Sequence, residues 1–465
     1  MSQIDISGIG GIVAIAVVFW VLFKIIRDIK SNRDDVFDFE RDYKMAIDKP
    51  TYKGEKQVEE ATLIGTSQNR KNVFIPSNAK HVFICGTTGS GKTIALSNFI
   101  KAGTDYNYPM LIVDGKGDTD KGSLLDIVNA LKENCPDQKV YVIDCNDPIT
   151  SDKYNPFKNT NTDVIKDMLI NMTNWSEEHY KYNTERYIQR LLKLLALEEI
   201  IVSLESLINY LPTINFNKLS KDLAGKGLIT KEEHVEDIEL SKISGKIAES
   251  AAARFATIKE SDLGQIFSED GVDIYTALEE NAIILFILNP LLYPEMSPLI
   301  GKLIIIDSKK AVSNFFRAKK KRIFYILDEI NVYASMPLLD LVNKSRSANI
   351  TCILATQSLS DLDHVSDQFK EQIIENCNNY IVLRQNSSVN AEHWSNVIGT
   401  RQTMQATYQI SGESGEVKST DLGSLRKVRE YLYHPDDIKL LPTGKAIFLS
   451  RDKMHHSRID IYKPF

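Results

Sequence analysis

The sequence has few cysteines and no excess of positive charge. Its five cysteines, at positions 85, 135, 145, 352 and 377, form no CxxC pair and have no spacing typical of metal ligands. Three of them lie in or at the end of apolar runs, which favours small buried hydrophobic side chains over redox or metal roles and fits a reduced cytosol. With 56 Lys and Arg against 62 Asp and Glu, the formal net charge is −6. A generally basic nucleic-acid surface is therefore excluded, and any contact with DNA must be local.

One apolar run near the start is long enough to cross a membrane. Residues 9–26 are apolar except for Lys24, and as a helix they would span about 27 Å, close to the thickness of a hydrocarbon core. An acidic residue precedes the run, and basic residues end or follow it: Lys24, Arg27, Lys30 and Arg33. This charge order is unlike a secretory signal and places the N-terminus outside and the rest of the chain in the cytosol. We expect a transmembrane anchor over residues 1–27 and a charged juxtamembrane linker over residues 28–60.

The strongest motif is the stretch HVFICGTTGSGKT at residues 81–93. An apolar run typical of a buried strand leads into a glycine-rich turn, and a helical sequence follows it. This is the context of a phosphate-binding loop, in which backbone N–H groups and the helix N-terminus surround an anion. Lys92 is expected to reach the β- and γ-phosphates of ATP, and the Thr93 hydroxyl to ligate Mg²⁺. The predicted nucleotide-binding residues are Gly86, Thr87, Thr88, Gly89, Ser90, Gly91, Lys92 and Thr93.

Strand and helix patterns alternate on both sides of a long helical region. Buried strands are predicted at 109–113, 140–143, 282–288, 323–327 and 350–355, which indicates an α/β fold with a doubly wound, mainly parallel sheet. Residues 161–278 are almost entirely helical in pattern and are interpreted as an inserted all-α domain. The nucleotide-binding domain then comprises residues 61–160 and 279–465. A segment around 411–422, rich in Gly, Ser and Glu, is predicted to be a flexible loop.

A second nucleotide signature closes the strand at 323–327. The strand ends in Asp328-Glu329, and two carboxylates at that place, downstream of a phosphate-binding loop, are typical of a nucleotide hydrolase. Asp328 is expected to hold Mg²⁺, and Glu329 to polarise the attacking water. Acidic residues also end many ordinary strands, so the assignment depends on the phosphate-binding loop.

Two further polar residues lie close to this signature in sequence. Gln357 follows the strand at 350–355 and is placed to sense the γ-phosphate, although many strands end in a polar residue. Arg346 precedes that strand. It is either an arginine finger or a solvated cation at a helix end, and the residues alone favour the second interpretation.

Taken together, the motifs resemble those of the coupling-protein ATPases of bacterial conjugation and type IV secretion, the TraG/TraD group. The resemblance covers residues 62–465. It rests on the order and spacing of several blocks: HVFICGTTGSGKT, VDGKGD, VYVIDCNDP, YNPF, ESDLGQIFS, YILDEI, NKSRSANITCILATQS, IIENCNNYIVL and HPDDIKLLPTGKAIFL.

The resemblance implies a RecA-like P-loop NTPase domain and a homo-hexameric ring at the bacterial inner membrane. It also implies that the ring passes relaxase-bound single-stranded DNA to a type IV secretion channel at the expense of ATP. Many members have two membrane helices, whereas one is predicted here. Carried over by position, the resemblance gives roles to Lys92, Thr93, Asp328, Glu329, Gln357 and, as an arginine acting on a neighbouring subunit, Arg346.

Two alternative functions stay open. One is a double-stranded DNA pump of the FtsK/HerA kind, which predicts stimulation of the ATPase by long duplex DNA. The other is a membrane recruitment platform for secreted cargo that uses nucleotide only as a conformational switch. A switch needs binding more than turnover, so it would tolerate the loss of Glu329.

Overall fold

The computed structural model describes Trp20, Phe23 and residues 60–464, with gaps at 79, 134, 172–177, 317–320, 367 and 414–415. The predicted membrane helix at 9–26 lies outside the described residues, apart from Trp20 and Phe23. Among the described residues, no helix is long and apolar enough to cross a membrane. Two compact units are present. The larger comprises Tyr52–Trp394 and Pro435–Phe465, and the smaller includes Ser395–His434.

The larger unit contains a sheet of eleven described strands. In chain order they are β1 (Ala61–Ser67), β2 (Asn72–Pro76), β3 (His81–Cys85), β4 (Met110–Asp114), β5 (Val140–Asp144), β6 (Ile283–Ile287), β7 (Ile323–Asp328), β8 (Ile350–Thr356), β9 (Cys377–Val382), β12 (Lys445–Ser450) and β13 (His455–Ile461). Their order in the sheet is β2-β1-β13-β12-β9-β3-β8-β7-β4-β6-β5. The strands from β9 to β5 in that order are parallel, and the four on the other side of β9 pair antiparallel. The predicted mainly parallel sheet is confirmed.

Helices cover both faces of the sheet, which explains why its central strands are apolar on both sides. On one face, helices α1 (Lys92–Asp105) and α2 (Leu124–Lys132) contribute Phe99 and Ile127 to a core that also contains Val82 and Ile112 from the strands. On the other face, the ring of Phe83 lies 5.9 Å from that of Trp394. Helices therefore pack against both faces of the sheet, as expected for a doubly wound fold.

Five helices occupy most of the region predicted to be an all-α domain. They are α3 (Thr162–Asn171), α4 (Glu178–Leu197), α5 (Leu204–Tyr210), α6 (Thr213–Gly225) and α7 (Lys231–Glu260). Capping boxes that begin at Ser203 and Thr230 start α5 and α7. Across the described residues from Thr162 to Glu260 there is no strand. The helical character is as expected, while the boundaries 161 and 278 stay a prediction.

A buried ionic cluster lies where the chain leaves and re-enters the sheet. Helix α8 (Ile274–Glu279) precedes the returning strand β6, and helix α9 (Met296–Phe315) follows it. Tyr154 pairs with Phe267 in an isolated bridge. In α9, Lys310 Nζ lies 2.7 Å from Asp307 Oδ1, and the Tyr154 hydroxyl donates to Asp307 Oδ2 at 2.9 Å. Lys310 also donates to the carbonyl of Pro156 at 3.2 Å. The cluster joins α9 to the chain segment that leads into the helical region.

Four more α-helices are described. They are α10 (Met336–Ser345), α11 (Phe369–Asn376), α12 (Ser388–Ile398) and α13 (Pro435–Lys439). Helix α10 packs against α9 and leads into β8. All five cysteines are free thiols, and four of them are buried. This agrees with their interpretation as small hydrophobic side chains.

The smaller unit contains a long β-hairpin. Strand β10 (Thr400–Glu413) pairs antiparallel with β11 (Glu416–Tyr431). The register shifts between Tyr408 and Ile410, and beyond the shift pairing resumes with Ile410 opposite Ser419 and Ser411 opposite Lys418. The prediction of a flexible loop at 411–422 is therefore wrong. Backbone pairing does not require an apolar face in a two-stranded ribbon, so the polar composition of this segment did not indicate a strand.

Candidate nucleotide-binding site

The glycine-rich loop joins β3 to α1, as the motif predicts. Gly89 and Gly91 have φ angles of +71° and +112°, a region that residues with a side chain rarely adopt. A Cβ on Gly86 would lie 2.6 Å from Leu383 Cβ and 2.7 Å from Ser90 Oγ. All three glycines are thus required, two by backbone conformation and one by close packing.

Hydrogen bonds from a segment distant in sequence hold this loop in place. The Thr443 hydroxyl donates to the carbonyl of Gly89 at 3.1 Å, and the N–H of Gly444 donates to the carbonyl of Ser90 at 3.0 Å. Both residues lie just before β12, in the LPTGKA stretch. Two backbone carbonyls of the loop are therefore held on the side opposite to the N–H groups that would face a phosphate.

The two charged residues predicted to act on the γ-phosphate lie together. Lys92 Nζ is 3.6 Å from Glu329 Oε2, and both side chains are less than a tenth exposed. Burial raises the pKa of Glu329, and the Lys92 ammonium opposes that rise. A carboxylate with a raised pKa, held beside a cation at the end of a strand, is suited to accept a proton from water.

Gln357 lies between the loop and the acidic pair. It directly follows β8, the strand between β3 and β7 in the sheet. Its Oε1 accepts a hydrogen bond of 2.9 Å from the Thr88 hydroxyl. An amide in contact with the phosphate-binding loop on one side, and next to Glu329 on the other, can detect whether a γ-phosphate is present.

Asp114 was missed by the sequence analysis. It ends β4 as Asp328 ends β7, and the two residues are directly opposite in the pairing of those strands. The pKa of each carboxyl is raised to about 6, chiefly by burial and, for Asp328, also by the nearby charge of Asp114. The signal was present in the sequence, since the VDGKGD block also places an acid at the end of a buried strand.

The oxygen ligands at this edge fit Mg²⁺. Magnesium prefers hard oxygen donors and is usually held by one or two carboxylates together with substrate phosphates. The Asp328 carboxylate and the Thr93 hydroxyl supply such donors, and Asp114 lies beside Asp328. The donor set is therefore suitable for a magnesium ion bound with a nucleotide.

Arg346 lies at the opposite edge of the sheet. It begins a short 3-10 turn, Arg346–Ala348, directly before β8 starts, whereas Gln357 follows the end of that strand. Its side chain is exposed. The pKa of His81 is lowered to about 4, mainly by burial, and the positive charge of Arg346 contributes to this lowering. The seven residues of β8 span roughly 20 Å, so Arg346 does not reach the loop of its own chain.

The position of the loop and the acidic pair defines the class of protein. In a mainly parallel α/β sheet, a glycine-rich loop after one strand and an acidic pair after another, with a polar sensor between them, characterise the P-loop NTPases. The sheet fits a domain of the RecA-like kind.

Comparison with known proteins shows which P-loop NTPases this chain resembles. Residues 322–443 match the family model described as the TraM recognition site of TraD and TraG. The resemblance of this chain to the TraG/TraD coupling proteins is confirmed. A protein of Mycoplasma pneumoniae described as uncharacterized is 28% identical over 135 residues, which cover 28% of this chain and 84% of that protein.

Solved structures share the fold. The bacterial conjugative coupling protein TrwBΔN70, in its unbound form, matches with a TM-score of 0.59 and 17% identity over 92% of both chains. The plasmid coupling protein TrwB in complex with ADP and Mg²⁺ matches with a TM-score of 0.58 and 16% identity, over 92% of this chain and 93% of that one. VirB4 of Thermoanaerobacter pseudethanolicus matches with a TM-score of 0.53 and 10% identity, over 88% and 98%.

Proposed function

We propose that this chain is a membrane-anchored, hexameric ATPase that couples relaxase-bound DNA to a type IV secretion channel and drives DNA transfer during conjugation. The observation that carries the proposal is the buried pair of Lys92 and Glu329, 3.6 Å apart beside the phosphate-binding loop. A protein that only bound nucleotide would need the lysine but not a buried carboxylate next to it.

Each residue of the site has a role in this proposal. Lys92 binds the β- and γ-phosphates of ATP and stabilises the charge that develops on them. Glu329 accepts a proton from the attacking water, and Gln357 reports the state of the γ-phosphate to the loop through Thr88. Bound Mg²⁺, held by Thr93 and Asp328, would neutralise charge on the phosphate oxygens.

The resemblance to coupling proteins supports the cellular role. The TraM recognition site description of residues 322–443 favours contact with a DNA-processing complex. TrwB has been solved with ADP and Mg²⁺, which supports ATP and Mg²⁺ as the cofactors of this chain. We place the protein in the bacterial inner membrane as a single-pass protein with its bulk in the cytoplasm, on the strength of the charge order around residues 9–26.

A ring accounts for the position of Arg346. The residue is exposed and lies about one strand length from the loop of its own chain. An arginine supplied by a neighbouring subunit contributes roughly 10³–10⁵ in the rate of phosphoryl transfer. In the proposed homo-hexamer, Arg346 of one subunit completes the site of the next.

ATPase assays of the full-length chain in lipid nanodiscs, with single-stranded DNA, duplex DNA or neither, test the proposal. Stimulation by single strands is expected. Stimulation by long duplex alone would instead indicate a double-stranded DNA pump. Indifference to both would indicate a recruitment platform in which nucleotide acts only as a switch.

A further inference from the structure

The backbone between Asp328 and Glu329 is held in an uncommon conformation. Glu329 has φ +49° and ψ +50°, in the left-handed region that residues other than glycine rarely occupy. Such a conformation persists only where the surrounding structure imposes it.

We propose that Tyr333 is a positioning residue for Glu329, and this inference rests on the proposed ATP hydrolysis. The Tyr333 hydroxyl donates a 2.8 Å hydrogen bond to the carbonyl oxygen of Asp328. That carbonyl belongs to the peptide whose orientation sets the φ angle of Glu329. By fixing this peptide, Tyr333 directs the Glu329 carboxylate toward Lys92.

Tyr333 is itself fixed in place. Its side chain is fully buried, and a Cβ on Gly301 of α9 would lie only 2.6 Å from Tyr333 Cβ. A 3-10 turn connects Glu329 to Tyr333 and sets the separation between them. In this turn the N–H of Val332 donates to the carbonyl of Glu329. Close packing therefore restricts the ring, and within the described structure its hydroxyl donates to the Asp328 carbonyl.

A second contact acts on the same carbonyl. The N–H of Gly115 donates to the Asp328 carbonyl at 3.3 Å, and a Cβ at Gly115 would lie 2.8 Å from the carbonyl of Glu329. The tyrosine hydrogen bond is the shorter of the two, and the hydroxyl can be deleted without disturbing packing. Replacing Tyr333 by Phe therefore isolates the hydrogen bond.

Loss of the hydroxyl should affect chemistry and spare binding. Without it, Glu329 can relax toward the right-handed region and carry its carboxylate away from the attacking water. The phosphate-binding loop keeps its own supports, from Thr443 and Gly444. We therefore expect kcat for ATP to fall about tenfold or more in Tyr333→Phe, with KM for ATP and Kd for ADP within about twofold of wild type.

The chain supplies a matched control. Tyr325 lies on the same strand, β7, and is also fully buried, but in the described part of the structure its hydroxyl has no hydrogen-bond partner. Tyr325→Phe removes the same atom from the same strand, three residues before Asp328. We expect its kcat to equal that of the wild type.

A double mutant separates positioning from general damage. If Tyr333 acts through Glu329, then Tyr333→Phe combined with Glu329→Gln should be no slower in single turnover than Glu329→Gln alone. A merely structural role would make the two losses multiply. Wild-type kcat in Tyr333→Phe, loss of ADP binding in parallel with kcat, or multiplied losses in the double mutant would each overturn the inference. If the wild type and Glu329→Gln hydrolyse ATP equally, the proposed function fails instead.

Discussion

Lys92 Nζ and Glu329 Oε2 lie 3.6 Å apart, although the two residues belong to segments more than two hundred positions apart in the chain. One follows β3 and the other follows β7, so the sheet brings the cation and the base to one edge. In the proposed function, this proximity lets the cation that binds phosphate and the carboxylate that activates water act on the same γ-phosphate.

The first prediction separates those two roles. Lys92→Ala should lose ATP binding, because the cation on the phosphates is gone. Glu329→Gln should bind ATP with wild-type affinity and lose hydrolysis by about 10²-fold or more, since the amide keeps the shape but not the basicity. Equilibrium binding of a fluorescent ATP analogue and single-turnover hydrolysis measure the two steps. Equal loss of binding in both variants would contradict the assignment.

The second prediction concerns pH. Asp114 and Asp328 have their pKa values raised by burial to about 6, so the folded state binds protons more tightly than the unfolded state. The stability that this pair contributes is present below the unfolded pKa and is lost as pH rises through about 6. Asp114→Asn removes one of the two charges, so its Tm should fall less than that of wild type between about pH 4 and pH 7.

Exposed Asp105, paired with Lys101 at 2.8 Å, gives the control for this measurement. Asp105→Asn should keep the wild-type pH dependence of Tm. A steeper fall in Asp114→Asn than in wild type would show that the two buried carboxylates do not repel each other as described.

The third prediction compares adjacent lysines on α9. Lys310 is buried against Asp307, whereas Lys309 pairs with Asp340 at the surface. Lys310→Met leaves a buried carboxylate uncompensated and should lower the free energy of unfolding by about 3–5 kcal/mol. Lys309→Met should lower it by less than about 1 kcal/mol. Thermal or urea unfolding gives both values, and similar losses in the two variants would refute the description of the cluster.

The sequence predicted the local elements well. The strand at 109–113 is observed as Met110–Asp114, and that at 323–327 as Ile323–Asp328, because fully buried parallel strands are continuous apolar runs. The glycines and the lysine of the phosphate-binding loop were recognisable for a different reason, because phosphate binding imposes those residue types at a fixed spacing.

The contacts between distant segments could not be predicted in this way. Thr443 supports Gly89, and Tyr333 holds the Asp328 carbonyl, through hydrogen bonds that depend on the folded sheet. Arg346 shows the same limit in the other direction. The sequence placed it before the strand at 350–355, but it did not show how far β8 separates Arg346 from Gln357 and the phosphate-binding loop.

The fourth prediction uses this separation. Arg346→Ala should retain ATP binding and lose most hydrolysis. Mixed in equal amounts with Lys92→Ala, it should regain activity, because about a quarter of the interfaces in a randomly mixed ring pair an intact loop with an intact arginine. ATPase activity of the mixture, compared with the sum of the separate variants, is the readout. No gain on mixing would return Arg346 to the role of a surface cation.

We propose that ATP turnover at the Lys92–Glu329 site drives DNA transfer. The most direct measurement is the transfer frequency from donor cells whose only copy of this protein carries Glu329→Gln, with protein level and membrane fraction matched to wild type. We expect transfer at the background level of donors that lack the protein. Transfer at the wild-type frequency would contradict it, because nucleotide binding alone would then suffice.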